Sequence, residues 1–178
     1  MGQSPSADVF WGYDIGKFED PETYESTHPA WWWPDGEDGD PADWEEVYAE
    51  RVAGWKPVPF PASASPSDYS LSREEREIRR IEWQKTPEYK AWSENLGRKH
   101  EILGNCPVAL EQTGYEDEPM FCVRIKRSVQ SVSDWEVVPF DPPVTQGEWF
   151  DQINVFMVIM EFQIPETPPR WYMSCNYG

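Results

Sequence analysis

Few residues in this chain have the chemistry of a catalytic centre. A nucleophile needs a general base beside it, usually a histidine, and the chain contains only His28 and His100. His28 stands in a proline-flanked stretch and His100 in a charged one, and no Gly-x-Ser-x-Gly or cysteine-centred signature lies near either. We interpret both histidines as non-catalytic and predict that the protein is not an enzyme.

Residue spacing also gives little support to metal or cofactor chemistry. Zinc needs about four Cys or His ligands at short spacings, and phosphate-binding loops need glycine-rich patterns; the sequence has neither. Oxygen ligands crowd only the stretch that contains Asp35, Glu37, Asp38 and Asp40, where no register fits an EF-hand. We predict a solvated loop there, with weak calcium binding as the alternative, and no metal site or cofactor.

The aromatic residues are more informative than the titratable ones. The chain has 11 Trp, and three of them form the run Trp31-Trp32-Trp33 inside an acidic stretch. Trp and Tyr are enriched at binding hot spots, and three consecutive indoles cannot all point toward one core. The alternative is that all three wedge between the loop and the domain. The predicted protein-binding face consists of Trp31, Trp32, Trp33, Asp35, Glu37, Asp38, Asp40 and Asp43.

Charge is the strongest compositional signal. The chain has 33 acidic and 15 basic residues, a net charge of −18. Residues 1–70 hold 15 acidic and 3 basic side chains, 71–127 hold 11 of each, and 128–178 hold 7 and 1. A field of this sign repels nucleic-acid phosphates and attracts basic protein surfaces. We predict no direct nucleic-acid binding; the simpler explanation is that the charge serves solubility.

The sequence predicts a cytoplasmic protein that does not bind membranes. No stretch approaches the roughly 18–20 apolar residues that span a bilayer, and the N-terminus lacks the features of a signal peptide. The three cysteines, Cys106, Cys122 and Cys175, are an odd number without paired spacing. That pattern favours a reducing compartment over a disulfide framework.

Capping and periodicity predict the helices. Asp40-Pro41 is typical of a helix start, and the stripe that follows ends at Gly54. Ser72 opens a capping box, and Thr86-Pro87 restarts the helix after a break. Thr145 opens a further capping box before an apolar helix over 149–162, which is so apolar that we expect it to be covered on several sides. Residues 18–39 are predicted as an acidic Trp-rich loop and 56–70 as a Pro-rich connector.

Alternating patterns predict strands over 8–16, 108–110, 120–126 and 170–176. Gly12 inside the first strand indicates a bulge or a close backbone approach. The element order predicts a single α+β domain over 1–178, with a mixed or antiparallel sheet and helices on one face. It suits a ferredoxin-like split βαβ, in which the two terminal strands lie side by side.

Several short segments carry a resemblance: residues 10–16 (FWGYDIG), 31–32 (WW), 43–46 (DWEE), 86–92 (TPEYKAW) and 175–178 (CNYG). Together they resemble a family of small acidic proteins of unassigned function encoded by phages that infect actinobacteria. The resemblance spans nearly the whole chain and rests on aromatics and glycines. It implies an accessory protein in the cytoplasm of a bacterial host, and carries no site residues.

The leading hypothesis is a protein that binds a basic host protein through an acidic, Trp-bearing face. Inhibition of a host defence or nucleic-acid enzyme, as a charge mimic of DNA, is the version we favour. The alternative is a nucleotide or sugar binder with an aromatic pocket at Trp11 and Tyr13, which takes its cations from Arg124, Lys126, Arg127 or the Arg73–Arg80 cluster. Both readings allow a homo-oligomer, and a minor virion component is a third hypothesis.

Overall fold

The structure, a computed structural model, describes residues 6–17, 29–32, 42–61, 72–115, 118–133 and 145–176. The chain packs as two compact units: the sheet unit, Met1–Val47 with Cys106–Gly178, and the helical unit, Tyr48–Asn105. The predicted α+β class is confirmed. The single domain over 1–178 stays a prediction.

The sheet unit is built on five strands, all paired antiparallel: β1 Ser6–Lys17, β2 Val108–Tyr115, β3 Glu118–Ile125, β4 Gln130–Ser133 and β5 Arg170–Asn176. The long strand β1 lies in the middle, with β5 on one edge and β3 and β4 in succession on the other. β2 pairs with the outer edge of β3. The two terminal strands thus lie side by side, while the ferredoxin-like topology itself stays a prediction.

A 3₁₀ turn at Lys126–Ser128 separates β3 from β4, a strand that the sequence pattern did not predict. Gly12 pairs with Arg124, and Val9 pairs with Gln130. Between these two pairs, the two residues 10–11 of β1 lie opposite the five residues 125–129. The buried Ser128 hydroxyl accepts a hydrogen bond from the Trp11 N–H at 2.9 Å and donates one to the Ile125 carbonyl at 2.7 Å. A side chain therefore replaces the ladder bonds that the turn removes.

The helix α4, Gly147–Ile159, packs on the sheet. The Trp149 ring lies 5.9 Å from the Trp11 ring and 6.4 Å from the Trp171 ring. The predicted capping box at Thr145 is wrong, because the N-cap is Gln146 and makes no side-chain capping bond. At the other end Glu161 takes a left-handed conformation with φ 59° and closes the helix.

The helix α1, Trp44–Ala53, begins in the sheet unit and ends in the helical unit. The helical unit also contains α2, Arg73–Gln84, and α3, Pro87–Gly104. The predicted caps at Ser72 and Thr86 are confirmed: each hydroxyl accepts a hydrogen bond from the third residue of its helix. The predicted start of α1 at Asp40 is corrected to Asp43, whose carboxylate accepts from the Glu45 N–H at 2.9 Å. No helix among the described residues is long and apolar enough to cross a membrane.

Candidate protein-binding surface

Residues 29–32 bring two indoles of the predicted face to the sheet unit's core. Trp32 is only 3% exposed, and its ring makes edge contacts with Phe121 at 5.0 Å and with Phe162 at 6.2 Å. Trp31 is partly buried, and its Nε1 donates to the Met160 carbonyl at 2.6 Å. Trp32 is therefore corrected from a surface residue to a core residue, because Trp31 and Trp32 pack against the end of α4.

The acidic part of the predicted face divides in two. Asp43 is exposed, and its carboxylate caps α1, as described above. Trp33, Asp35, Glu37, Asp38 and Asp40 lie outside the described residues. A contact role for these six residues therefore stays a prediction.

The alternative ligand set does not converge on one pocket. Trp11 and Tyr13 are buried on the side of the sheet that faces α4, where the Tyr13 hydroxyl donates to Asn154 Oδ1 at 3.2 Å. Arg124 pairs with Gly12, between these two residues, and so projects from the opposite face. Lys126 lies in the 3₁₀ turn. Arg124 therefore does not share a pocket with Trp11 and Tyr13, because side chains alternate between the faces of a strand. A ligand-binding role for Lys126 stays a prediction.

On that opposite face Arg124 is held between two acids. Its guanidinium pairs with Glu111 and lies 3.4 Å from Asp8, and it stands over the Phe10 ring at 5.7 Å. Burial raises the pKa of Glu111, although the Arg124 charge opposes that shift. All three charged side chains are largely covered, at 16–26% exposure. The terminal nitrogens of this arginine are therefore engaged by acids within the protein, whereas its shielded Nε has no acceptor among the described residues.

The neighbouring thiol is equally unsuited to nucleophilic chemistry. Burial, with a smaller contribution from the Glu111 carboxylate, raises the pKa of Cys122 to about 12. Since the thiolate is the reactive form of cysteine, this side chain stays protonated near neutral pH. Within the described part of the chain, no group of three His, Cys, Asp or Glu residues is placed to hold a metal ion.

The most conspicuous surface of the sheet unit lies on α4 and was not predicted. Phe150, Val155 and Val158 are 46%, 57% and 66% exposed. Val155 and Val158 stand one turn apart, and Asp151 lies one turn before Val155 on the same side. We call Phe150, Asp151, Val155 and Val158 the α4 outer surface. α4 is covered at Trp149 by Trp11 and at Phe156 by Trp44, but the side with Val155 and Val158 faces solvent, which the expectation of covering on several sides did not include.

Electrostatics make this surface acidic. The segment 147–161 contains Glu148, Asp151 and Glu161 and no basic residue. Glu148, at the first turn, pairs with Arg127 from the 3₁₀ turn. Toward Val158 the negative end of the helix dipole adds to the field of the acids. A cation is therefore favoured near the C-terminal half of the α4 outer surface.

The sequence matches no model of a known protein family, no curated protein and no solved structure. One sequence signal could have found the α4 outer surface. The helix carries apolar residues all round, more than one sheet can bury. An excess of this kind indicates either a second covering layer or an exposed contact surface, and we had expected the covering layer.

Proposed function

We propose that the protein is a non-enzymatic binding protein that engages a basic protein through the α4 outer surface. The observation that carries the proposal is the exposure of Val155 and Val158 beside Asp151 on a helix without basic residues. Exposed apolar groups that share one surface with polar neighbours are typical of protein contacts. Among the described residues of the sheet, the groups with a raised pKa are Tyr13, Glu111 and Cys122. Each contacts a partner within the protein, which favours binding over catalysis.

The spacing of the surface fits a helical or grooved partner. Asp151, Val155 and Val158 follow an i, i+4, i+7 pattern, the set of positions by which a helix docks against another helix or into a groove. The partner that complements this pattern has apolar side chains flanked by Lys or Arg. Following the resemblance to phage proteins, we propose a host enzyme of defence or nucleic-acid metabolism, because such enzymes carry basic surfaces.

A defined peptide tests this chemistry directly. The probe is a fluorescent amphipathic helix of Leu and Lys, and the same helix with Glu in place of Lys is the charge control. Titration should show binding of the Lys peptide alone, weakening as salt rises. The double variant Val155→Ser with Val158→Ser should bind about tenfold or more weakly, since it removes two apolar contacts.

The chain offers a matched control on α2. Ile78 and Ile81 are exposed at the same one-turn spacing in the helical unit, and the double change to Ser there should leave binding unchanged. Equal losses from the two double variants, or equal binding of the Glu peptide, would contradict the proposal. A confirmed surface can then be used with the same variant pair to identify the host partner.

A further inference from the structure

A second candidate site lies in the helical unit, where four aromatic rings meet. Phe60 makes edge contacts with Trp83 at 5.3 Å and Trp92 at 5.0 Å, and Tyr89 contacts the same two rings at 4.5 and 5.6 Å. We call these four residues the aromatic cluster. Trp83 belongs to α2 and Tyr89 and Trp92 to α3, whereas Phe60 comes from the extended segment after α1.

Two arginines lie on the same side of α2 as Trp83. Arg76, Arg80 and Trp83 follow an i, i+4, i+7 pattern, which places them along one side of the helix. Arg80 pairs with Glu77 at 2.7 Å. Arginine and tryptophan side chains therefore share one side of α2, whereas Arg124 lies on the face of the sheet opposite Trp11 and Tyr13.

Two hydrogen-bond donors among Arg76, Arg80 and Trp83 have no acceptor in the described part of the chain. Arg76 Nε and Trp83 Nε1 are both shielded from solvent, and neither donates to any described residue. A shielded donor without a partner costs free energy, because it has lost water and gained nothing in return. Two such donors on one side of one helix point to an acceptor that binds there.

Phe60 is the most exposed member of the aromatic cluster. Its side chain is 47% exposed. The segment before it is fastened to α3, because Asn95 donates to the Lys56 carbonyl at 3.1 Å and accepts from the Val58 N–H at 3.3 Å. These bonds stop two residues short of Phe60. The ring can therefore leave the cluster without breaking the attachment of the segment.

We infer that the aromatic cluster binds a planar ring that carries an anionic group, with a nucleoside monophosphate as the representative ligand. The ligand ring takes the place of Phe60 beside Trp83 and Trp92, and the anionic oxygens accept from Arg76 Nε and Trp83 Nε1. The charge of the helical unit permits this: it contains ten of the 15 basic residues and nine of the 33 acidic ones. The inference is independent of the α4 outer surface.

Isothermal calorimetry with three probes tests the inference. Adenosine monophosphate should bind at least about tenfold more tightly than adenosine, which lacks the anion, and than inorganic phosphate, which lacks the ring. Equal affinity of adenosine and its monophosphate, or no heat with the monophosphate at millimolar concentration, would overturn it.

Variants separate the site from general electrostatics. Arg76→Gln and Trp83→Phe should each weaken monophosphate binding about tenfold, because each removes one donor. Arg73→Gln, an exposed position at the start of α2, is the matched control and should bind like the wild type. Phe60→Ala should bind more tightly, since no ring has to be displaced. Equal losses from Arg73→Gln and Arg76→Gln in variants with wild-type circular dichroism would contradict the inference.

Discussion

At Gly12 the central strand passes so close to β3 that no side chain fits. A Cβ atom at this position would lie 2.0 Å from the Val123 carbonyl oxygen and 2.9 Å from the Arg124 Cα. Both neighbours are backbone atoms within a paired ladder, so neither can move aside without breaking β-sheet hydrogen bonds. Gly12→Ala should therefore lower the free energy of unfolding by at least about 3 kcal/mol, measured by urea denaturation.

Gly97 supplies the control for the same substitution. It lies inside α3, and a Cβ there would meet nothing within 4 Å. Gly97→Ala should stabilise the protein by up to about 1 kcal/mol, because alanine restricts the unfolded chain and favours the helix. Equal effects of the two substitutions would show that Gly12 is not held by the close approach.

Cys122 should make the protein less stable at alkaline pH. Burial raises its pKa from 9.0 to about 12. Between these values the unfolded thiol releases its proton and the folded thiol keeps it, so the unfolded state binds fewer protons and stability falls as pH rises. The slope should be shallower in Cys122→Ala, with Tyr13 retaining part of it because burial also raises the pKa of Tyr13. Identical slopes in both proteins would contradict this assignment.

At the scale of elements, the segment around Trp31 and Trp32 holds the end of α4 against the sheet. Trp32→Ala should lower the free energy of unfolding by about 3–5 kcal/mol, the usual cost of removing a buried aromatic ring. Met173→Ala, at a position that is 71% exposed, should change it by less than about 0.5 kcal/mol. A wild-type urea midpoint for Trp32→Ala would return this indole to the candidate contact residues.

Local signals predicted the elements whose ends depend on local bonds. Ser72 and Thr86 cap their helices as the sequence indicates, because the bonds connect residues three apart. The predicted helix starts at Asp40 and Thr145 are wrong, because α1 begins after Asp43 and α4 begins after Gln146, which makes no side-chain capping bond. The strand β4 was not predicted because the turn that separates it from β3 depends on the hydrogen bond between Ser128 and Trp11. These two residues lie 117 positions apart in the chain.

The candidate sites were harder to predict than the fold, for a physical reason. Residue type indicated indoles and arginines, but only packing decides which of them stay accessible. Trp32 is enclosed and Arg124 is engaged by two acids, whereas Val158, an ordinary core residue type, faces solvent. The periodicity of α4 shows that it carries more apolar residues than one sheet can bury. The pattern alone does not say which of its sides remains exposed to solvent.

At the scale of the whole molecule, the two units carry different charges. The sheet unit has 24 acidic and 5 basic residues, a net charge of −19, and the helical unit has 9 and 10, a net charge of +1. The helical unit is close to neutral. The two proposals follow this division: a basic partner suits the acidic unit, and an anionic ligand suits the neutral one.

The three residues of the 3₁₀ turn also account for the change of register between β3 and β4. Removing them would let the ladder run on from Arg124 toward Gln130 with each pair, and each inward side chain, still in phase. In this structural sense the turn is a three-residue insertion that leaves the β1 register on both sides unchanged. What the insertion added is Arg127, which reaches Glu148 and the face of Trp149.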